Sequence, residues 1–129
     1  MPKRIYKIQG ISLGTASSNT RYGRKEDSLL VTIPQESILS GKFTSNKLKA
    51  APVKLAIENL SNSKKAKKVL LINAGNANAA TGPKGLKDVR KYCKEIALDF
   101  KISQENVIPF STGVIGEPLA TENYLSAFR

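Results

Sequence analysis

The segment "NVIPFSTGVIGEPL", residues 106–119, carries the residue types that could do chemistry here. A β-like run is expected to end at Pro109. Ser111, Thr112 and Gly113 follow, and a second glycine, Gly116, stands four residues after the threonine. Acyl transfer passes through a tetrahedral intermediate that bears an oxyanion. Fixed donors aimed at one point stabilise it, typically a backbone N–H and a side-chain hydroxyl. Glycine lets the main chain approach a ligand closely, and threonine supplies the hydroxyl beside it. Taken bare, a Ser-Thr-Gly triplet also builds ordinary turns.

A nucleophile is harder to find. The chain has no histidine, so a Cys–His pair and a histidine base are both excluded within it. The lone Cys93 sits in "VRKYCKEIALDF" at helical spacing from apolar neighbours, where a free cysteine acts as a small buried hydrophobe. One cysteine also excludes an internal disulfide. No metal-ligand cluster stands out. The loop "GNANAATGPKG", 75–85, lies between a strand and a helix, the general layout of a phosphate site. "GPKGLK" nevertheless lacks the Gly-Lys-Ser/Thr ending of a P-loop, and Gly75, Gly82 and Gly85 miss the dinucleotide spacing. Asn73, Asn76 and Asn78 could line a pocket, or their amides could stabilise the loop.

The elements that must position these residues are legible from periodicity. The chain of 129 residues suffices for one modest domain. "RIYKIQGISLGTASS", with Ile5, Tyr6 and Ile8, predicts a first strand ending near Gly10–Gly14. "SNTRYGRKED" is a polar loop. "SLLVTIP", 28–34, reads as a central strand, and "SILSGKFTS", 37–45, as another with Gly41 as a bulge. "APVKLAIENL", 51–60, predicts a helix with Val53, Ala56, Ile57 and Leu60 on its buried face and Pro52 in its first turn. "VLLINA", 69–74, is a buried strand. "LKDVRKYCKEIALDF", 86–100, is a helix with Leu86, Val89, Cys93, Ile96, Ala97 and Phe100 on one stripe. "TENYLSAFR" opens a further helix in which the sequence stops, which suggests the N-terminal part of something longer.

The net charge is +11, from 21 Lys and Arg against 10 Asp and Glu. Such an excess invites a nucleic-acid reading. The basic residues are scattered, however. The densest group, "KKAKK" at 64–68, lies in a polar connector with no aromatic residue interleaved for base stacking. The balance goes to a solvated connector rather than a nucleic-acid surface. No apolar run approaches membrane-spanning length, and the N-terminus lacks a secretion signal core, so a cytoplasmic protein is expected.

Three separated blocks carry a resemblance: "GKFTSNKLKAAPV" (41–53), "INAGNANAATGPKGLKD" (72–88) and "PFSTGVIGEPL" (109–119). In order and spacing they resemble the N-terminal part of the ornithine acetyltransferase family, the bifunctional glutamate N-acetyltransferases of arginine biosynthesis. "GRKEDSLLV", 23–31, resembles its early strand region. The resemblance covers essentially the whole chain, as the N-terminal part of a single α-chain domain. It implies an α/β (α+β) fold: a mixed or antiparallel sheet covered by helices, part of the α-β-β-α sandwich shared with self-processing aminopeptidases.

The resemblance also implies a reaction. Family members cut their own precursor before a threonine, and the new N-terminal Thr of the β chain is the nucleophile. It takes acetyl from N-acetylornithine and passes it to glutamate; bifunctional members also take acetyl-CoA as a co-substrate, and no resident cofactor is implied. Carried across, Thr112 and Gly113 would form the oxyanion hole. The nucleophile is expected outside this chain, since Ala80–Thr81 and Ala120–Thr121 stand in the wrong context for the cut. The expected partner is the β chain, as an αβ pair that dimerises into a heterotetramer. The 129 residues alone would be inactive. Two other readings stay open: an N-terminal-nucleophile aminopeptidase relative, and a basic binding module without chemistry.

Overall fold

Apolar residues run nearly unbroken along 28–33 and 69–74 and recur at helical spacing along 86–100, so a sheet with helices packed on it is the economical way to bury both. The computed structural model describes residues 6–129 and has that form. The elements run β1 (Ser12–Ala16), β2 (Ser28–Ile33), α1 (Ala51–Asn62), β3 (Lys68–Asn76), α2 (Gly82–Phe100), a short 3-10 turn (Gln104–Asn106), β4 (Val107–Val114) and α3 (Thr121–Ala127). The four strands form one mixed sheet in the order β1-β2-β3-β4. β1–β2 and β2–β3 are antiparallel; β3–β4 is parallel, with α2 as the crossover that a parallel pair requires.

The register decides which face each residue occupies. Leu30 stands opposite Leu71, and Val69 opposite Val107. These four pack with Leu55 of α1, with Val89, Tyr92, Cys93 and Ile96 of α2, and with Leu119, Tyr124 and Leu125. Leu55, Val69, Cys93 and Val107 are fully buried. Each such side chain contributes roughly 1.5–3 kcal/mol against exposure. The other face of the sheet carries Leu29, Val31, Leu70 and Ile72, all only half-buried. One sheet and the helices on one side of it make half of the α-β-β-α sandwich expected.

The structure moves several boundaries. The first strand begins at Ser12 rather than ending near Gly10–Gly14; Gly10 has φ +79° and sits in a turn. Ile5 lies outside the described residues. Residues 37–45 form no ladder. β2 already has neighbours on both sides, so the chain leaves it through Pro34 and crosses the second face instead, where Leu39 and Phe43 approach Leu70 and Ile108. Gly41 is therefore no bulge. A Cβ there would lie 2.8 Å from Leu60 Cδ2, so glycine is what lets the crossing segment pass α1.

In α1 the buried stripe is Pro52, Leu55, Ala56 and Asn59, rotated from the one expected, with Val53, Ile57 and Leu60 half-buried. The polar Asn59 faces inward because its amide donates to the carbonyls of Gln104 (3.2 Å) and Val107 (2.8 Å) at the start of β4. In α2 the expected stripe is present, with Tyr92 added to it. Cys93 is wholly buried, and that burial pushes its thiol well above the ordinary cysteine range, so it packs as a neutral hydrophobe.

α2 ends in a Schellman motif. Ile102 N–H donates to Ala97 O (3.0 Å) and Lys101 N–H to Leu98 O (3.1 Å), with Lys101 left-handed at φ 53°. Glycine is the residue that takes this conformation without a Cβ penalty. Lys101→Gly is expected to raise stability by about 0.5–1 kcal/mol, the relief of strain being partly offset by unfolded-chain entropy. The midpoint of urea unfolding checks it; an unchanged or lowered midpoint would contradict it.

Candidate active site

β4 does not stop at Pro109. It runs through the Ser-Thr-Gly triplet to Val114, paired with β3 from Val69↔Val107 to Asn76↔Val114. Proline is tolerated because β4 is an edge strand among the described residues, so its missing donor can fall on the free side. The triplet thus stands beside Asn73, Ala74 and Gly75. Ser111 turns to the helix face, where its hydroxyl donates to Asn73 Oδ1 at 2.6 Å. By strand alternation Thr112 turns the other way. It is exposed on the open face, and its hydroxyl has no hydrogen-bond partner among the described residues.

Gly113 is held by its neighbour's backbone. Its φ is +131°, and a Cβ built on it would lie 2.3 Å from Gly75 C and 2.6 Å from both Gly75 O and Asn76 N. Gly75 is itself at φ +97°. Two glycines facing each other across a parallel pair let the strands meet where any side chain would separate them.

The asparagines knit the loop that follows β3. Asn73 Nδ2 donates to Asn76 O (2.8 Å). Asn76 Oδ1 accepts from Asn78 N–H (2.7 Å), while its Nδ2 reaches Glu117 O (3.2 Å) and Pro118 O (3.0 Å). Asn78 Nδ2 donates to Gly85 O (2.9 Å), and its Oδ1 accepts from Thr81 Oγ1 (2.7 Å). All three are buried. Asn73 and Asn78 are spent on this scaffold. Asn76 also forms part of the wall of a cavity of about 410 Å³ with Thr20, Arg21, Glu117 and Tyr124. Gly85 belongs to the same design: a Cβ there would lie 2.4 Å from Asn78 Oδ1. The loop then clamps the end of β4, through Ala77 N–H to Val114 O (3.0 Å) and Gly116 N–H to Ala79 O (2.8 Å).

Neither Ala-Thr pair offers a free nucleophile. The Thr81 hydroxyl serves Asn78, and Thr121 is buried at the start of α3. Lys68 of the basic connector belongs to β3, and its ammonium folds back onto the carbonyls of Ala66 (3.2 Å) and Lys64 (3.4 Å). Among the described residues no group of three or more Cys, Asp or Glu is placed to hold a metal ion, and no helix is long and apolar enough to cross a membrane.

Sequence reasoning passed over Asp27. It is 4% exposed just before β2, and its carboxylate accepts from Ser18 N–H (2.8 Å), Ser18 Oγ (2.5 Å), Ser28 Oγ (3.1 Å) and Thr20 Oγ1 (3.4 Å). Its carbonyl accepts from Ala74 N–H at 2.8 Å. Burial works to raise this carboxyl, but the hydrogen bonds from Ser18, Ser28 and Thr20 outweigh it and hold the group below its ordinary value of 3.8. The cue in the sequence is the hydroxyl-rich "SSNT" nine residues upstream, though nothing in a polar loop says which carboxylate will gather those hydroxyls.

The likeness to known proteins follows the same segments. The family model described as the ArgJ family matches residues 12–129. The chain belongs to the ArgJ family. The arginine biosynthesis bifunctional protein ArgJ of Methylococcus capsulatus is 41% identical over 124 residues, which cover 96% of this chain and 30% of that protein. The protein of the same name from Colwellia psychrerythraea is 38% identical, covering 98% and 32%. This chain therefore spans about three-tenths of these ArgJ relatives. Among solved structures, Bacillus halodurans ArgJ superposes with a TM-score of 0.79 at 32% identity, covering 94% of this chain and 62% of that one. The ornithine acetyltransferase of Mycobacterium tuberculosis complexed with ornithine gives 0.83 at 26% identity, covering 92% and 64%.

Two outcomes follow from this geometry. Gly113→Ala should break the β3–β4 contact and destabilise the protein by at least about 2–3 kcal/mol, read by urea unfolding, whereas Gly14→Ala, at an open position, should cost far less. Asp27 has a depressed carboxyl, so its stabilisation is present above the unfolded-state value near 4 and is lost as pH falls through the lower folded value. The stability gap between the parent protein and Asp27→Asn should be wide at pH 7 and close below about pH 4. A gap constant from pH 7 to pH 3 would refute this.

Proposed function

We propose that this chain supplies the electrostatic half of a glutamate N-acetyltransferase site, with Thr112 Oγ1 and the Gly113 amide as the oxyanion hole. The observation that carries it is a free, exposed threonine hydroxyl next to a glycine whose backbone is locked against its neighbour strand. Both donors would be in place before substrate arrives, which is what electrostatic catalysis requires. The ArgJ relatives and the ornithine-bound neighbour support the substrate class.

The nucleophile comes from a threonine in a later segment, exposed by self-cleavage of a longer precursor. Its hydroxyl oxygen attacks the acetamide carbon of N-acetylornithine, and its own α-amine takes the proton. The carbonyl oxygen becomes the oxyanion and moves toward Thr112 and Gly113. Collapse breaks the C–N bond; the ornithine amine leaves with the proton, and an acetyl-threonine ester remains. The amine of glutamate then attacks that ester through a second oxyanion held by the same two donors. N-acetylglutamate departs and the threonine hydroxyl is restored. Acetyl-CoA can load the same threonine in a bifunctional enzyme, with the thiol as leaving group. The assembly is an αβ pair that doubles into a heterotetramer, working in the cytoplasm with no resident cofactor.

An aminopeptidase of the same architecture would pass its acyl group to water instead of an amine. Thr112→Ala in the full-length protein should lower kcat for acetyl transfer by about 10²–10³-fold while leaving the fold intact. Mass spectrometry of N-acetylglutamate formation and circular dichroism check the two halves. Acyl hydrolysis with no acetylglutamate would favour the peptidase. Unchanged transfer in Thr112→Ala would remove the oxyanion assignment.

A further inference from the structure

Ala74 is the residue beside Thr112 in the β3–β4 register, and side-on contacts from two distant segments hold its peptide groups. Its N–H goes to Asp27 O (2.8 Å) and its carbonyl accepts from Tyr124 Oη (2.8 Å), a hydroxyl brought in by α3 from 50 residues away. The same Oη accepts from Thr20 Oγ1 at 3.5 Å and lies 3.6 Å from where a Gly75 Cβ would be. It therefore sits over the Ala74–Gly75 peptide. Gly75 is the backbone against which Gly113 rests.

The comparison with Tyr92 shows that packing alone does not call for this hydroxyl. The two rings pack tilted at 37° with centroids 6.1 Å apart, and both residues are 1% exposed. Yet the Tyr92 hydroxyl is buried with no partner among the described residues. The ring fills the core in both cases; only at 124 does the hydroxyl hold the backbone under the site.

Resting on the oxyanion reading above, we propose that Tyr124 is a positioning residue for acetyl transfer, fixing the Ala74–Gly75 peptide and through it the places of Thr112 and Gly113. A small displacement of a preorganised donor is enough to cost rate. In the full-length protein, Tyr124→Phe should lower kcat about tenfold with KM nearly unchanged. On a Thr112→Ala background the same change should cost little more, because the donor it positions is gone. Tyr92→Phe, which also deletes a buried hydroxyl, should leave kcat as it was. A Tyr124→Phe enzyme within twofold of the parent overturns the proposal, as does a full multiplicative loss with Thr112→Ala. If Thr112→Ala is itself fully active, the oxyanion reading falls and this proposal with it; if Thr112→Ala is impaired and Tyr124→Phe is not, only this proposal falls. Should Tyr124→Phe fail to fold, 4-fluorophenylalanine at 124 decides: its fluorine fills the place of the hydroxyl but donates nothing to Ala74 O, so kcat should fall about tenfold at constant KM; a kcat within twofold of the parent overturns the proposal.

Discussion

The backbone-to-backbone contact between Gly75 and Gly113 is the constraint on which the rest of this structure turns. Two parallel strands ordinarily keep their side chains between them and their neighbours above and below the sheet. Here both strands give up the side chain at the same level, and each adopts a conformation that other residues avoid. The result is a rigid corner at the end of the sheet. Thr112 sits on one side of that corner and the asparagine loop wraps the other, so the exposed hydroxyl is carried by backbone packed against backbone.

The asparagines show how such a corner is held by side-chain amides. Each amide nitrogen donates to a backbone carbonyl, while each amide oxygen accepts from a neighbouring hydroxyl or N–H. Asn76 serves both the β3 and the β4 side, and Asn78 ties the loop to the first turn of α2. Burial makes these bonds costly to lose, since a missing partner would strand a polar group away from water. Stability and site geometry are therefore one and the same network here.

Much of this was legible in the sequence. The short apolar runs of β2 and β3 and the stripe of α2 place the core, since such runs and such a period are what burial selects. Thr112 and Gly113 could be named as oxyanion candidates from the family's blocks, and the ArgJ likeness supports the family. The length of β4 was not legible, since proline and glycine read as strand breakers unless the strand is known to lie at an edge. The segment 37–45 alternates like a strand but has no free edge beside β2 to join. The inward turn of Asn59 and the gathering of hydroxyls on Asp27 depend on partners 45 and 9 residues away, which local pattern does not reveal.

Cys93 has a consequence of a different kind. Its thiol is sealed between α2 and the sheet, and burial keeps it protonated. A reagent that attacks thiolates can reach it only when that interface opens. The chain thus carries a single internal reporter: the rate at which its one thiol is modified measures how often the core comes apart, with no added label and no disturbance of the surface.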